Sequence, residues 1–221
     1  MPVAKQINKH FFKEWSPETA YALGFFFADG SLDVNPRGGH YFSLQTVDYA
    51  LLQAIRSVMD SEHKISKRIG KDRSHIWYRM QVGSKVMCSD LRTLGVDEAK
   101  AKTMCLPKLP ASYTPDFIRG YFDGDGNVWF GNIHKDRDTQ TPTLLSVFTS
   151  CSANFLVGLR AELQNYGLGR GSLYKRKNAY KLQYSVNDSL LLYKLMYDNL
   201  QNDLYLPRKK KVYEAYIHMR A

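Results

Sequence analysis

The chain has 221 residues, 44% of them hydrophobic, enough for one large domain or two small ones with a full core and too many for a disordered chain. Its formal net charge of +10 favours a polyanionic partner, nucleic acid before an anionic membrane surface. No apolar run approaches the ~20 residues of a spanning helix, the N-terminus MPVAKQINKHFF lacks a signal-peptide core, and three cysteines without CxxC spacing read as reduced thiols, not a zinc site. The expected compartment is therefore a prokaryotic cytoplasm or an organellar matrix, with no secretion.

From the N-terminus, a helix is predicted over 17–28, with Ser16 as N-cap, Pro17 at the first helical position and Glu18 in the first turn. It runs into FADG (27–30). Two strands follow, 31–36 and 40–47, in which Leu32, Val34, Phe42 and Leu44 alternate toward one face. An amphipathic helix is predicted over 48–60, strands over 64–69 and 75–82, and a helix over 84–94. The stretch 95–113 reads as a linker, because Pro107 and Pro110 oppose a long helix there. Thr114, Pro115 and Asp116 then give a second helix start, and that helix runs to FDGDG (122–126). Strands are predicted over 127–134, 143–150, 172–177 and 180–186, helices over 152–166 and 188–202, and a basic terminal helix over 208–221. The expected class is α+β: halves 1–94 and 114–221, each αββαββα with a four-stranded antiparallel sheet.

The two halves are repeats. Asp29 and Asp125 stand 96 residues apart, whereas YALLQAI (49–55) answers ANFLVGL (153–159), and WYRMQVGS (77–84) answers KLQYSVND (181–188), at 104. The added residues fall in GNIHKDRDTQTP (131–142), opposite NPRGGH (35–40), which implies a surface loop between two strands.

Each half thus ends its first helix on an aspartate followed by a glycine. A helix C-terminus carries partial negative charge and disfavours an aspartate by ~0.3–1 kcal/mol. Two such ends side by side would also repel each other. A divalent cation offsets both effects, since Mg²⁺ takes few carboxylates together with waters and phosphate oxygens, and helix-end carbonyls can add ligands. Gly24 and Gly120 stand mid-helix, each costing ~1 kcal/mol against alanine, and would let two helices approach closely. Two plainer readings stand beside this one. DG is also a hairpin-turn signal. Asp123-x-Asp125-x-Asn127 resembles the start of an EF-hand loop, although Val128 and His134 stand where that loop needs glycine and glutamate. The duplication, with matching flanks on both sides, favours a paired site.

ALGFFFADG (22–30) and IRGYFDGDG (118–126) resemble the nine-residue motif of the LAGLIDADG homing endonucleases, and the repeat carries the resemblance over nearly the whole chain. The chain looks like the monomeric, two-motif kind. The resemblance implies that the motif helices form a pseudo-twofold interface through Gly24 and Gly120. It implies that the eighth motif residues, Asp29 and Asp125, bind catalytic divalent metal, with backbone oxygens from Ala28 and Gly124. The implied cofactor is Mg²⁺, with Mn²⁺ as a substitute and Ca²⁺ supporting binding without turnover. The first copy departs from the family word at Phe27, where aspartate often stands; the second keeps Asp123, for which a structural polar role is expected. The implied activity is a double-strand break in a long duplex-DNA target, made by phosphodiester hydrolysis without a covalent intermediate. Two sheets would form a saddle over the major groove. An intron maturase that binds RNA and a non-catalytic DNA-binding regulator are alternatives on the same fold, and the two intact acids favour cleavage. An origin as a free-standing protein encoded in a mobile intron fits better than an intein.

The strands supply a surface for such a partner. Over 76–82, Trp77, Arg79 and Gln81 oppose Ile76, Tyr78, Met80 and Val82. Over 181–186, Lys181, Gln183 and Ser185 oppose Leu182, Tyr184 and Val186, and strand 40–45 turns Tyr41, Ser43 and Gln45 outward. Two basic stretches occupy equivalent places: Lys64, Lys67, Arg68, Lys71, Arg73, Arg79 and Lys85 against Asp72, and Arg170, Lys175, Arg176, Lys177 and Lys181. The resemblance extends the DNA-contact set to Ser31, Asp33, Asn35, Arg37 and Ser66, and to Asn127, Trp129, His134, Thr149, Ser172 and Tyr174. It also implies polar residues that order water and neutralise charge around the metal. Gln45, Arg79 and Gln81 fill that role, with Lys85 nearby; at a spacing of 104 their counterparts are Thr149, Gln183 and Ser185, which leaves the second half without a lysine.

Overall fold

Helix α1 (Pro17–Asp29) begins where its cap stands: Ser16 Oγ accepts the Thr19 N–H at 3.1 Å, and Pro17 occupies the first turn, where no donor is missed. The computed structural model describes residues 5–70, 75–97, 103–133 and 141–220. In chain order α1 is followed by β1 (Gly30–Val34), β2 (His40–Thr46), α2 (Tyr49–Val58), β3 (Ile65–Ile69), β4 (Ile76–Gly83) and α3 (Lys85–Thr93). A 3₁₀ turn (Ala111–Tyr113) leads into α4 (Thr114–Asp125), β5 (Gly126–Ile133), β6 (Thr141–Ser150) and α5 (Ala153–Asn165). The chain continues with β7 (Ser172–Arg176), β8 (Ala179–Tyr184), α6 (Val186–Tyr197) and α7 (Pro207–Arg220). The class is α+β, with two antiparallel four-stranded sheets ordered β1-β2-β4-β3 and β5-β6-β8-β7.

By packing, the chain divides into two units: Met1–Lys100 with Pro107–Gly124, and Ala101–Leu106 with Asp125–Ala221. Helix α4, up to Gly124, therefore groups with α1 although it opens the second sequence repeat. The glycines are the reason. A Cβ on Gly24 would collide with the Phe117 carbonyl oxygen and lie 2.9 Å from the Tyr121 nitrogen. A Cβ on Gly120 would collide with the Tyr21 carbonyl oxygen and lie 3.0 Å from the Phe25 nitrogen. The two helices meet backbone to backbone.

In the first unit α1 is buried on every side, from Thr19 through Phe27. Phe26 meets Phe42 of β2 edge-on at 6.0 Å, and Phe27 meets Phe117 of α4 at 5.4 Å. Leu51, Leu52 and Ile55 of α2 and Met87, Cys88 and Leu91 of α3 are buried with the inward row Phe42, Leu44, Met80 and Val82. Polar groups at the helix contact are paired. The Tyr21 hydroxyl donates to Asp123 Oδ2 at 2.7 Å, and Arg119 donates to Asp116 Oδ1 at 2.7 Å with its guanidinium 5.3 Å from the Tyr21 ring centroid. Burial pushes the Asp116 carboxyl up, against the pull of Arg119.

In the second unit Phe155, Leu156, Leu159 and Leu163 of α5 and Leu192 and Met196 of α6 are buried with Leu144, Phe148 and Leu182. Ser152 caps α5 by accepting the Phe155 N–H, and its hydroxyl donates to the Met104 carbonyl at 2.6 Å. Helix α7 lies along β5: Tyr216 meets Phe130 edge-on at 5.3 Å, and the Tyr213 and Ser146 hydroxyls are 2.7 Å apart.

Candidate functional site

Asp29 is the last residue of α1 and Asp125 the last of α4; both are half-buried. Each following glycine opens a strand, so neither DG is a hairpin turn. The EF-hand reading fails too, because Asp123 and Asp125 lie within a helix and the Asp123 carboxylate accepts the buried Tyr21 hydroxyl. Gly30 has no room for a side chain: a Cβ would lie 2.5 Å from Phe26 Cγ. Its N–H closes α1 on the Phe26 carbonyl. The helix contact also reaches this level. A Cβ on Gly124 would collide with the Ala28 methyl and lie 3.3 Å from Asp29 Oδ2. The Asp29 carboxylate thus stands against the backbone of the α4 residue that precedes Asp125. Carboxylate and carbonyl oxygens are hard donors of the kind Mg²⁺ and Ca²⁺ take, so the donor set fits such a cation. Clusters of three or more His, Cys, Asp or Glu able to hold a metal are absent among the described residues.

Strand register decides which residues share a face, because directly paired residues point the same way. In the first sheet Ser31 pairs with Ser43, Asp33 with Tyr41, Ser43 with Gln81, Gln45 with Arg79, Ser66 with Arg79, and Arg68 with Trp77. These ten residues form the row opposite the core. Arg79 is its hub: Nη2 donates to Ser43 Oγ at 3.3 Å and lies 3.9 Å from Asp33 Oδ2, while Nε is buried with no hydrogen-bond partner among the described residues. Lys5, Lys64, Ser66, Arg68, Arg79 and Gln81 line a concavity of about 280 Å³. Four residues of the expected set lie off the strands, and Lys64 directly precedes β3. Asn35 closes the β1–β2 loop, accepting the Gly39 N–H at 2.7 Å, and Arg37 is exposed on that loop. Lys85 is the exposed first residue of α3, beyond the end of β4. Lys67 pairs with Tyr78 and lies on the opposite side from Arg68.

In the second sheet the equivalent row carries Asn127, Trp129, Thr149, Ser172, Tyr174, Arg176, Lys181 and Gln183, with the Tyr174 hydroxyl donating to Gln183 Oε1 at 2.9 Å. Ser185 does not belong to it. Strand β8 stops at Tyr184, and Ser185 occupies the N-cap position of α6. Lys175 pairs with Tyr180 on the other side, its ammonium 5.6 Å from the Tyr180 ring centroid. His134, Lys71, Asp72 and Arg73 lie outside the described residues.

The register also corrects the correspondence between halves. Gly30 pairs with Leu44 and Gly126 with Phe148, while Gln45 pairs with Arg79 and Thr149 with Lys181. Thr149 therefore matches Gln45, but Lys181 matches Arg79 and Gln183 matches Gln81. The spacing of 104 fails here because the β7–β8 hairpin turns in two residues, Lys177 and Asn178, where β3 and β4 are joined by residues 70–75. Lys181 thus stands where Arg79 does, while the place of Lys85, first in α3 after Ser84, is held by Val186, first in α6 after Ser185.

Sequence reasoning missed Leu145 and Val147, which join the outward row of β6. The run TLLSVF is apolar at successive positions and gives no alternation to read. It also missed Lys209, which reads as part of a solvated basic run. Lys209 is 5% exposed, and its ammonium donates to the Gly126 carbonyl at 2.6 Å, one residue past Asp125.

Over 93% of its length the chain superposes on the LAGLIDADG meganuclease I-AabMI bound to uncleaved DNA, covering 90% of that chain with a TM-score of 0.62 at 14% identity. The fold is that of the LAGLIDADG homing endonucleases. The homing endonuclease I-WcaI, bound to its DNA recognition sequence, gives a TM-score of 0.62 over 93% of this chain and 91% of its own at 18% identity. I-SmaMI, solved on an uncleaved DNA target with calcium ions, gives 0.61 over 93% and 90% at 12% identity. No protein-family model matches the sequence. An uncharacterized protein of Methanocaldococcus jannaschii is 28% identical over 122 residues, which is 53% of this chain and 42% of that protein. The match thus spans less than half of that relative's length. Among the described residues, no helix is long and apolar enough to cross a membrane.

Proposed function

We propose that this chain is a site-specific endonuclease that makes a double-strand break in duplex DNA by divalent-metal-dependent phosphodiester hydrolysis. The observation that carries the reading is the duplicated helix end: two aspartates, each closing a motif helix, with Asp29 set against the Gly124 backbone beside Asp125. The LAGLIDADG fold and the DNA-bound state of I-AabMI and I-WcaI support it.

In this reading Asp29 and Asp125 hold the cation through carboxylate oxygens, and the carbonyls of Ala28 and Gly124 add backbone ligands. When bound, Mg²⁺ supplies an activated water and stabilises the departing oxygen. The chain's own groups do the rest. Gln45 and Gln81 in one half, and Thr149 and Gln183 in the other, orient water by hydrogen bonds. Arg79 and Lys181 offset the phosphate charge, and the unpartnered Arg79 Nε is a donor still available for a phosphate oxygen. The outward strand rows hold the duplex through Ser31, Asp33, Tyr41, Ser66, Arg68 and Trp77 on one side. Asn127, Trp129, Ser172, Tyr174 and Arg176 do so on the other.

A cleavage-site selection on randomised duplex DNA with Mg²⁺ tests the reading. The wild type should cut a defined sequence on both strands. Asp29→Asn and Asp125→Asn should each abolish the double-strand break while leaving binding in Ca²⁺ within about threefold of wild type. Wild-type cutting by either variant would overturn the metal assignment.

A further inference from the structure

The two outward rows differ in chemistry at matched positions. Asp33, Tyr41 and Ser43 of the first sheet correspond to Trp129, Leu145 and Val147 of the second. Trp129 pairs directly with Leu145, and Val147 pairs with Asn127. The opposite row already fills the core with Val128, Leu144 and Phe148, so this apolar strip has no interior to serve. Trp129 is 40% exposed, and Leu145 and Val147 are half-buried. The indole lies across Gly131, where a Cβ would stand 2.5 Å from Trp129 Cζ2 and 3.0 Å from Cη2. Any other residue at 131 would lift the ring; glycine lets it lie along the strand. Arg176 and Lys181 flank the strip on the same face. That basic rim is complementary to a phosphate backbone, which makes a nucleic acid, not an apolar protein surface, the occupant.

The major groove offers one apolar group to a protein, the C5-methyl of thymine. We infer that Leu145 and Val147, with Trp129 paired beside Leu145, form a thymine-reading strip, so that the half-site under the second sheet carries A·T pairs at matching positions. The inference rests on the endonuclease reading and names the bases this face selects. Its spacing follows from geometry. Residues two apart on a strand are about 6.6 Å apart, and successive base pairs rise about 3.4 Å, so the two methyls stand about two base steps apart. The first sheet carries hydrogen-bonding groups at these positions and selects its half-site by donors and acceptors.

The test is selection of bound duplexes from a randomised library with Ca²⁺ present, followed by resynthesis of the enriched site with deoxyuridine at each thymine in turn. Deoxyuridine removes the methyl and nothing else. Two thymines about two steps apart in one half-site should each show about three- to fivefold weaker wild-type binding when replaced, the loss expected for one buried methyl group. Leu145→Asn/Val147→Asn should bind the thymine and deoxyuridine duplexes equally and should select different bases at those two positions. If that double variant melts early, Val147→Ala with the same duplex pair gives the same comparison. Deoxyuridine tolerated throughout the half-site, or an unchanged base preference in a folded variant, would overturn the inference while leaving the endonuclease reading intact. An absence of any preferred duplex would overturn both.

Discussion

Replacing Gly24 with alanine puts one methyl group where α1 and α4 touch, and its effect can be worked from the contact. The new Cβ would collide with the Phe117 carbonyl oxygen and lie 2.9 Å from the Tyr121 nitrogen. Both are backbone atoms of a helix and cannot rotate aside. The helices must separate by roughly an ångström to restore ordinary contact. Alanine itself stabilises a helix interior by ~1 kcal/mol over glycine, so propensity alone predicts a more stable protein. Against that stands an overpacking cost of ~1–3 kcal/mol. Separation also stretches the 2.7 Å Tyr21–Asp123 bond, and a hydrogen bond to a buried charged group is worth ~1.5–3 kcal/mol. The net is a loss of about 2–4 kcal/mol, or a Tm lower by roughly 10 °C for a chain of this length. Calorimetry and urea denaturation measure it. Gly120→Ala should act alike, because Gly120 meets the Tyr21 carbonyl in the same way. The double variant should lose less than the sum, since helices already apart accept the second methyl cheaply. A Gly24→Ala protein as stable as wild type would refute the backbone-to-backbone contact.

Lys209→Met leaves the Gly126 carbonyl without its ammonium donor and should lower stability by about 2 kcal/mol. Because Gly126 follows Asp125, strand-resolved cleavage should slow more on one DNA strand than on the other, and equal slowing would argue against a local effect. Burial, with Lys5 adding charge repulsion, holds the His63 imidazole below its usual pKa of 6.5. The stability this contributes is present above pH 6.5 and fades as the pH falls through the folded-state value, so His63→Gln should flatten the acid side of the stability curve; an NMR titration with a midpoint above 6.5 would reverse the sign. Arg176→Ala should weaken binding to any duplex and lower the slope of log affinity against log salt by about 0.9, whereas Arg79→Ala should reduce the preference for the selected site over a scrambled one. Filter binding at several salt concentrations separates the two.

The local signals were readable in the sequence. Ser16 and Pro17 mark the start of α1, Thr114 and Pro115 that of α4, and both helices end on the aspartate of the motif. The outward row Trp77, Arg79 and Gln81 follows from simple alternation, because the opposing residues of β4 are apolar. What could not be read depends on partners distant in sequence. The match of Lys181 to Arg79 requires the pairing of β8 with β6, and sequence spacing misses it because the two hairpins differ in length. Lys175 sits in a basic run yet faces away, a property of register that composition does not carry. A structural polar role is expected for Asp123 from its place in the motif, but its partner is not, because Tyr21 stands 102 residues earlier.

The repeat has kept its two copies alike in one place and let them diverge in another, and packing explains which is which. At the helix contact each copy is the other's environment. Gly24 accommodates the α4 backbone and Gly120 the α1 backbone, so a side chain on either disturbs both helices. The outward rows have no such reciprocal contact. Position by position they read Asp33 against Trp129, Tyr41 against Leu145, Ser43 against Val147 and Gln45 against Thr149. The inward row diverges less: Leu32 answers Val128 and Leu44 answers Phe148 as buried apolar groups, and where Phe42 stands the second half has Ser146, buried with its hydroxyl 2.7 Å from that of Tyr213. A duplicated chain is therefore free to meet two different half-sites with one scaffold. In a homodimer of single-motif subunits every change to the outward row would appear twice and hold the target to a palindrome. Here the divergence is already present in the side chains, and the target expected for this chain is asymmetric: hydrogen-bonding groups select one half, and methyl contacts add to the selection of the other.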